Sequence, residues 1–233
     1  MKIIARVRSD FPSKFGIPRQ SSLVEGLRSR IVFEPEFRDP SALRGLEDFS
    51  YIWILWDFSM AHREKWSPTV RPPRLGGNER MGVFATRSPF RPNPIGLSSV
   101  RLERIEWKTP EGPVLHILGA DLVDGTPVYD IKPYLPYTDS HPEASGGFAA
   151  EHQSDTLQVQ CSEEWLQKIP PDQRDNVLEI LRQDPRPSYQ EDPERVYGME
   201  YAGMEIRFRV AGDILIVYQI WIKGEQGYGA KEV

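Results

Sequence analysis

Tyr51-Ile52-Trp53-Ile54-Leu55-Trp56-Asp57-Phe58 is the stretch on which the fold turns. It is an unbroken apolar run at strand length, heavy in isoleucine and aromatic side chains, which favours a buried strand over a helix. Outward from it, Ile3–Arg8, Arg30–Phe33, Met81–Ala85, Leu97–Trp107, Val114–Ala120 and Pro127–Ile131 repeat the pattern of short β-rich segments. Loops rich in Pro and Gly separate them. Many short strands so spaced predict an antiparallel barrel or sandwich, and argue against alternating βαβ units. Asp39 followed by Pro40 reads as the N-cap and first residue of a short helical turn running to Leu46.

Composition changes after Ser140. His141–Thr156, rich in Ala, Ser, Gly and polar residues, reads as a linker or mobile loop. Beyond it, Leu157–Gln160 predicts a strand, and Ser162 a helix cap with Glu163 and Glu164 in the first turn. Asp172–Gln183 predicts a helix with Val177, Leu178 and Leu181 on one face. Glu205–Val210 and Ile214–Ile222 read as a hairpin across Ala211-Gly212-Asp213. The fold class expected is therefore mainly β. A first domain over residues 1–140 is followed by a linker at 141–156 and a smaller α+β domain at 157–233.

The chain has 233 residues, a net charge of −5 and a single cysteine, Cys161. One cysteine excludes an internal disulfide framework and a cysteine-based zinc cluster, and fits a reducing compartment. No apolar run approaches the roughly 20 residues of a spanning helix. Arg6 and Arg8 follow Met1 too soon for a signal peptide. These features predict a soluble, cytoplasmic protein without a membrane partner. The charge is unevenly spread: from Arg71 to Arg91 five arginines face one acid, Glu79, whereas Glu151–Met199 holds eleven acids and five bases. The basic stretch contains no lysine, and the planar fork of arginine suits phosphate and carboxylate.

Four segments are compositionally costly for a mere scaffold. Lys14–Gln20 is a Pro-flanked loop offering the cation of Arg19 and the amide of Gln20. Arg71–Asn78 holds Arg71 and Arg74 among prolines and glycines that exclude a helix or central strand and permit close approach of a partner. It lacks the strand–loop–helix frame and the Lys-Ser/Thr of a P-loop, so nucleotide-triphosphate hydrolysis is rejected. Gly82–Ser98 packs Arg87, Arg91 and Asn93 among three prolines between two strands. Asp121-Leu122-Val123-Asp124-Gly125-Thr126-Pro127, followed by Asp130, brings together carboxylates that can counter a cation, with Tyr134 and Tyr137 free to stack. His62, His116, His141 and His152 stand singly, without metal-ligand spacing, and no Gly-x-Ser-x-Gly elbow occurs. Neither a metal site nor a nucleophilic triad is expected.

Together these segments resemble the TrmO family of tRNA methyltransferases, also called TsaA or YaeB. The likeness runs over Lys14–Gln20, Phe49–Phe58, Pro68–Ser98 and Asp121–Ser140 in the family's order. It is weaker in the acidic C-terminal region. The resemblance implies a small antiparallel β-barrel that binds S-adenosyl-L-methionine, works as a homodimer, and methylates the exocyclic N6 amine of threonylcarbamoyladenosine beside the anticodon of threonine-type tRNAs. Carried over residue by residue, it places the cofactor against Pro18, Arg19, Gln20, Ser59, Met60, Arg87, Leu97, Asp121, Leu122, Val123 and Asp124. Many members carry His-Gln where this chain has Ser59-Met60.

An in-line methyl transfer from a sulfonium asks the protein mainly for positioning. Arg87, and after it Arg19, would hold the cofactor's carboxylate, while Asp121 and Asp124 would meet its amino group or ribose. The weakly nucleophilic base amine benefits from an acceptor for its proton, and Asp124 is the candidate catalytic group. Anticodon-loop bases are unpaired and open to stacking and edge contacts, expected from Tyr134 and Tyr137. Arg71, Arg74, Arg80, Arg91 and Asn93 are the other candidate tRNA contacts, the arginines holding phosphates or the threonyl carboxylate. The Ser59-Met60 departure leaves one alternative, a non-catalytic RNA-binding or cofactor-sensing barrel.

Overall fold

Strand β3 (Tyr51–Asp57) shows why its apolar run is continuous. Ile52, Ile54 and Trp56 point into the interior, while Trp53 and Leu55 are half-buried on the outer side. Outside, the Trp53 ring lies 5.6 Å from that of Tyr134, and its Nε1 donates to Asp139 Oδ2 at 2.8 Å. A strand covered on both faces loses the polar half of the usual alternation.

The computed structural model describes the chain apart from residues 73–74, 76–78, 151–155, 187–191 and 225–233. Around β3, the strands β1 (Ala5–Ser9), β2 (Arg28–Phe33), β6 (Ile95–Glu106), β7 (Val114–Leu118) and β8 (Pro127–Pro133) close a six-stranded barrel. Its order is β1-β2-β7-β6-β3-β8, and every neighbouring pair is antiparallel. Ile31, Ile52, Ile54, Val100, Leu115, Ile117 and Val128 fill the interior. Closure leaves no strand edge for unwanted pairing. Within the long β3–β6 connection, β4 (Thr69–Val70) and β5 (Met81–Gly82) form a two-stranded hairpin.

Short helix α1 (Pro136–Asp139) follows β8. In the smaller C-terminal region, β9 (Gln158–Cys161), α2 (Glu163–Lys168), α3 (Arg174–Arg182), β10 (Tyr197–Tyr201), β11 (Met204–Ala211) and β12 (Ile214–Ile222) build an α+β unit. The sheet order is β10-β11-β12-β9, with β9 parallel to β12 and the other pairs antiparallel. Among the described residues, no helix is long and apolar enough to cross a membrane.

The local expectations need four corrections. Met81–Ala85 is strand only at Met81–Gly82; the Val83 N–H continues that ladder to Pro68 O at 2.9 Å, and Val83–Ala85 then turns as a 3-10 helix whose first carbonyl collects donors from Thr86 and Arg91. The turn after Asp39 is also 3-10, ending at Leu43, with the Asp39 carboxylate accepting from Ser41 N at 2.9 Å; a second begins at Leu46. In α3 the buried face is Val177, Ile180 and Leu181, with Ile180 in the place expected for Leu178. Strand β10 was not expected, although Tyr197, Met199 and Tyr201 alternate on one buried face.

The C-terminal core is not made by the C-terminal region alone. Phe11, Val24 and Leu27, from the β1–β2 connection, are buried in it beside Ile206, Phe208, Met199 and Leu181. The Phe11 and Tyr201 rings lie 4.9 Å apart, and Ala202 N donates to Asp10 O at 3.0 Å. Gly16 has φ of 90° and lies so close to Met199 that a Cβ would come within 3.2 Å of the sulfur. Only glycine takes that conformation without strain. Removing the Phe11 ring should therefore act on both parts: Phe11→Ala is expected to lower stability by about 3–5 kcal/mol. Hydrogen exchange should show loosening in 10–27 and in β10 together, whereas a loss confined to the barrel strands would contradict the shared core.

Candidate active site at one end of the barrel

In an all-antiparallel closed barrel, alternate connections leave at the same end. Here β1–β2 (10–27), β3–β6 (58–94) and β7–β8 (119–126) emerge together. These three connections, with Leu97 just inside β6, hold every candidate cofactor residue. The topology thus collects segments more than 100 residues apart in sequence.

At the floor of this end lies a hydrogen-bonded line. Trp56 Nε1 donates to Ser98 Oγ at 3.0 Å, and Ser98 Oγ donates to Asp121 Oδ1 at 2.7 Å. Burial pushes the Asp121 carboxyl above its ordinary value, while Ser98, the Ser21 backbone and the Arg87 charge oppose that rise. Gly96 is essential to the line's geometry, because a Cβ there would stand 2.2 Å from the Trp56 ring. Above it, Arg87 Nη1 donates to Gln20 Oε1, joining the first and second connections. Ser22 N donates to Gly119 O at 2.8 Å and joins the first to the third. Ser22 holds φ of 63°, the left-handed region that a non-glycine residue enters at a cost of about 1–2 kcal/mol.

The other candidates divide by placement. Pro18 is buried, and Arg19 turns toward the C-terminal unit, its Nη2 reaching the carbonyls of Asp184 at 3.3 Å and Arg186 at 3.4 Å. Leu122 is buried and Val123 half-buried, while Ser59, Met60 and Leu97 are exposed at the rim. The Asp124 carboxylate accepts from Ser9 N at 3.1 Å and lies 3.8 Å from Arg8 Nη1. Arg80 Nη1 donates to Thr69 Oγ1 at 3.0 Å, and Arg71 and Asn93 are exposed. Arg91 braces its own loop through Val83 O at 3.1 Å and Thr86 O at 2.7 Å. Arg74 lies outside the described residues. Tyr134 and Tyr137 are not brought to this end: they follow β8 at the opposite one, where Tyr134 packs against Trp53 and Tyr51.

Two features of this end were not singled out in the sequence. Asp57, at the end of β3, accepts from His62 Nε2 at 2.9 and 3.0 Å and from the Tyr129 hydroxyl. Burial and that carboxylate push the Tyr129 phenol up, and Asp57 and His62 flank Ser59-Met60 in sequence. The Asp-x4-His spacing was the only signal available. The second is an aromatic cluster in the 58–94 connection: the Trp66 and Phe84 rings lie 6.0 Å apart, and the Arg63 guanidinium sits 3.6 Å over Phe90. Among the described residues, no group of three His, Cys, Asp or Glu side chains converges to hold a metal ion.

Comparison with known proteins gives this geometry its relatives. The family model of the tRNA-methyltransferase O N-terminal domain matches residues 6–140, and that of the TrmO C-terminal domain matches 152–222. The chain is 42% identical to the tRNA (adenine(37)-N6)-methyltransferase of Escherichia coli over 215 residues, covering 89% of this chain and 91% of that protein. It is 41% identical over 213 residues to a putative S-adenosylmethionine-dependent methyltransferase, RcsF, of Pseudomonas aeruginosa, covering 88% and 90%. A crystal structure of TrmO from Pseudomonas aeruginosa superposes with a TM-score of 0.73 at 34% identity, covering 94% of this chain and 96% of that one. With both domain models matched and relatives aligned over nearly their whole lengths, the chain belongs to the TrmO family.

Proposed function

We propose that this protein is an S-adenosylmethionine-dependent tRNA methyltransferase acting on the N6 amine of adenosine 37, beside the anticodon. The substrate we assign is the threonylcarbamoyl-modified adenosine of threonine-type tRNAs. The observation that carries the reading is the convergence of Gln20, Arg87, Ser98 and Asp121 at one barrel end, in a chain that shares its family with adenine(37)-N6 methyltransferases. The donor set fits the cofactor: Arg87 offers a forked cation for a carboxylate, Asp121 an anchored acceptor for an ammonium or ribose hydroxyl, and Gln20 an amide for either.

When bound, the cofactor supplies a methyl group already activated by its positive sulfur. The protein's own part is to hold and orient. Ser98 and Trp56 fix Asp121, Gln20 fixes Arg87, and the packed 10–27 segment fixes Gln20. Pro18, Arg19, Ser59, Met60, Leu97, Leu122 and Val123 complete the assigned cofactor surroundings. Asp124, held by Ser9 and Arg8, is the acceptor assigned to the proton of the attacking amine. The exposed arginines Arg71 and Arg80 suit the anionic tRNA backbone. The working unit assigned is a homodimer in the cytoplasm, as the family resemblance implies. Catalysis is assigned to residues 1–140, joined through 141–156 to the 157–233 domain.

Two measurements test the reading. Incubation with methyl-labelled S-adenosylmethionine should place one methyl group on threonylcarbamoyl-modified threonine tRNA and none on the same tRNA lacking that modification. Cofactor binding without transfer to confirmed modified tRNA would replace the enzyme with a non-catalytic binding protein. Asp121→Asn separates stability from binding. Folding penalises an ionised Asp121, so the substitution should raise the thermal midpoint at neutral pH. The gain should shrink as pH falls through the raised value and vanish below the ordinary 3.8. The same variant should bind S-adenosylmethionine roughly tenfold or more weakly, as expected for losing a charged hydrogen-bond partner.

A further inference from the structure

Phe84 is 71% exposed and Trp66 is 50% exposed, and Phe84 does not belong to a loose segment. Phe84 sits at the centre of the 3-10 turn Val83–Ala85, whose first residue, Val83, is anchored at 1% exposure. The Val83 carbonyl accepts from Thr86 N at 3.2 Å, Thr86 Oγ1 at 2.9 Å and Arg91 Nη1 at 3.1 Å. Arg91 also holds Thr86 O at 2.7 Å, and its guanidinium lies 5.7 Å from the centre of the Phe84 ring. The turn is thus braced from inside while it holds a large apolar ring out in water. Exposure of adjacent large rings is unfavourable in isolation and marks an interaction surface. Rings presented on a fixed backbone lose little freedom when a partner docks.

The Trp66 and Phe84 rings, 6.0 Å apart and inclined by 33°, therefore make a platform with two faces. The partner is indicated by charge. The platform lies in the connection that contributes Arg71, Arg80, Arg87 and Arg91, so the surface is apolar, aromatic and cationic at once. That combination matches unpaired nucleotides, whose bases stack on aromatic rings while phosphates meet arginine. It lies at the barrel end that carries Arg87, Gln20 and Asp121, whereas Tyr134 and Tyr137 leave from the other.

We propose that Trp66 and Phe84 form the base-stacking platform that grips unpaired anticodon-loop nucleotides next to the methylated base, an inference that rests on the tRNA reading above. Stacking on one ring contributes enough that its loss weakens binding by roughly fivefold to a hundredfold. No phosphate contact is removed, so the salt dependence of binding keeps its slope.

The test uses an anticodon stem-loop of threonine tRNA with 2-aminopurine in the loop, titrated with the full-length protein and its Trp66→Ala, Phe84→Ala, Phe84→Leu and Phe84→Tyr variants. Both alanine variants and Phe84→Leu should bind at least fivefold more weakly with reduced quenching, while Phe84→Tyr binds like the parent. S-adenosylmethionine affinity and the salt slope should stay unchanged. Binding that ignores all four substitutions overturns the platform. So does dissociation of a dimer in sedimentation with the alanine variants but not with Phe84→Leu, which would make the rings a subunit contact. Ring-dependent binding in a protein that transfers no methyl group would sustain the platform and defeat the enzyme reading; ring-independent binding with active transfer would do the reverse.

Discussion

The burial of one connection in two places is the constraint on which the rest of this structure depends. Residues 10–27 run between two barrel strands, but Phe11, Val24 and Leu27 lie in the C-terminal core. A loop of that length left on the surface would sample many conformations and bring Gln20 to Arg87 only part of the time. Anchored at both ends and in its middle, it has few. The energy that fixes it is apolar burial contributed by a domain that adds none of the cofactor candidates, with Asn176 Nδ2 donating to Gly26 O at 3.1 Å as a further tie. The strain at Ser22 is tolerated for the same reason, since packing on both sides over-determines its backbone.

The barrel supplies the complementary half. Six antiparallel strands gather three connections at one end, and the inward side chains beneath them supply the floor. Trp56 shows how the two requirements meet. Its ring fills the interior against Gly96, while its Nε1 reaches Ser98, which in turn reaches Asp121. A buried acceptor without donors would cost several kcal/mol, and the donors that relieve the cost also fix its direction. The raised Asp121 carboxyl is the balance between burial, which disfavours its charge, and Ser98 and Arg87, which favour it.

The barrel strands were legible because β-branched and aromatic residues sat in short runs between Pro and Gly, a signal local to each run. Closure was not legible from the runs themselves, which allowed a sandwich equally well. Val83–Ala85 reads as strand locally but turns where Thr86 and Arg91 gather on the Val83 carbonyl, so contacts from the following loop override propensity there. The direction of Arg19 could not be read at all, since its partners at Asp184 and Arg186 are more than 160 residues away. The same limit hid the exposure of Trp66 and Phe84: sequence shows that aromatic residues are present, and only the surrounding fold shows which of them water reaches. The segments that carried the family resemblance were readable because their residue types are needed in place whatever the backbone does between them.

The acidic C-terminal region also takes on a different meaning. A net charge of −5 argues against a nucleic-acid binder if charge acts as one average over the molecule. It does not, because at physiological ionic strength charges more than about 8 Å apart across solvent are largely screened from one another. What matters for a docked loop is the local field at the barrel end, which carries Arg71, Arg80, Arg87 and Arg91. The C-terminal domain reaches that end through buried apolar side chains and through backbone carbonyls that hold Arg19, contacts that salt hardly weakens. Its core can therefore keep the 10–27 connection in place without its acids offsetting the arginines of the 58–94 connection at the same barrel end.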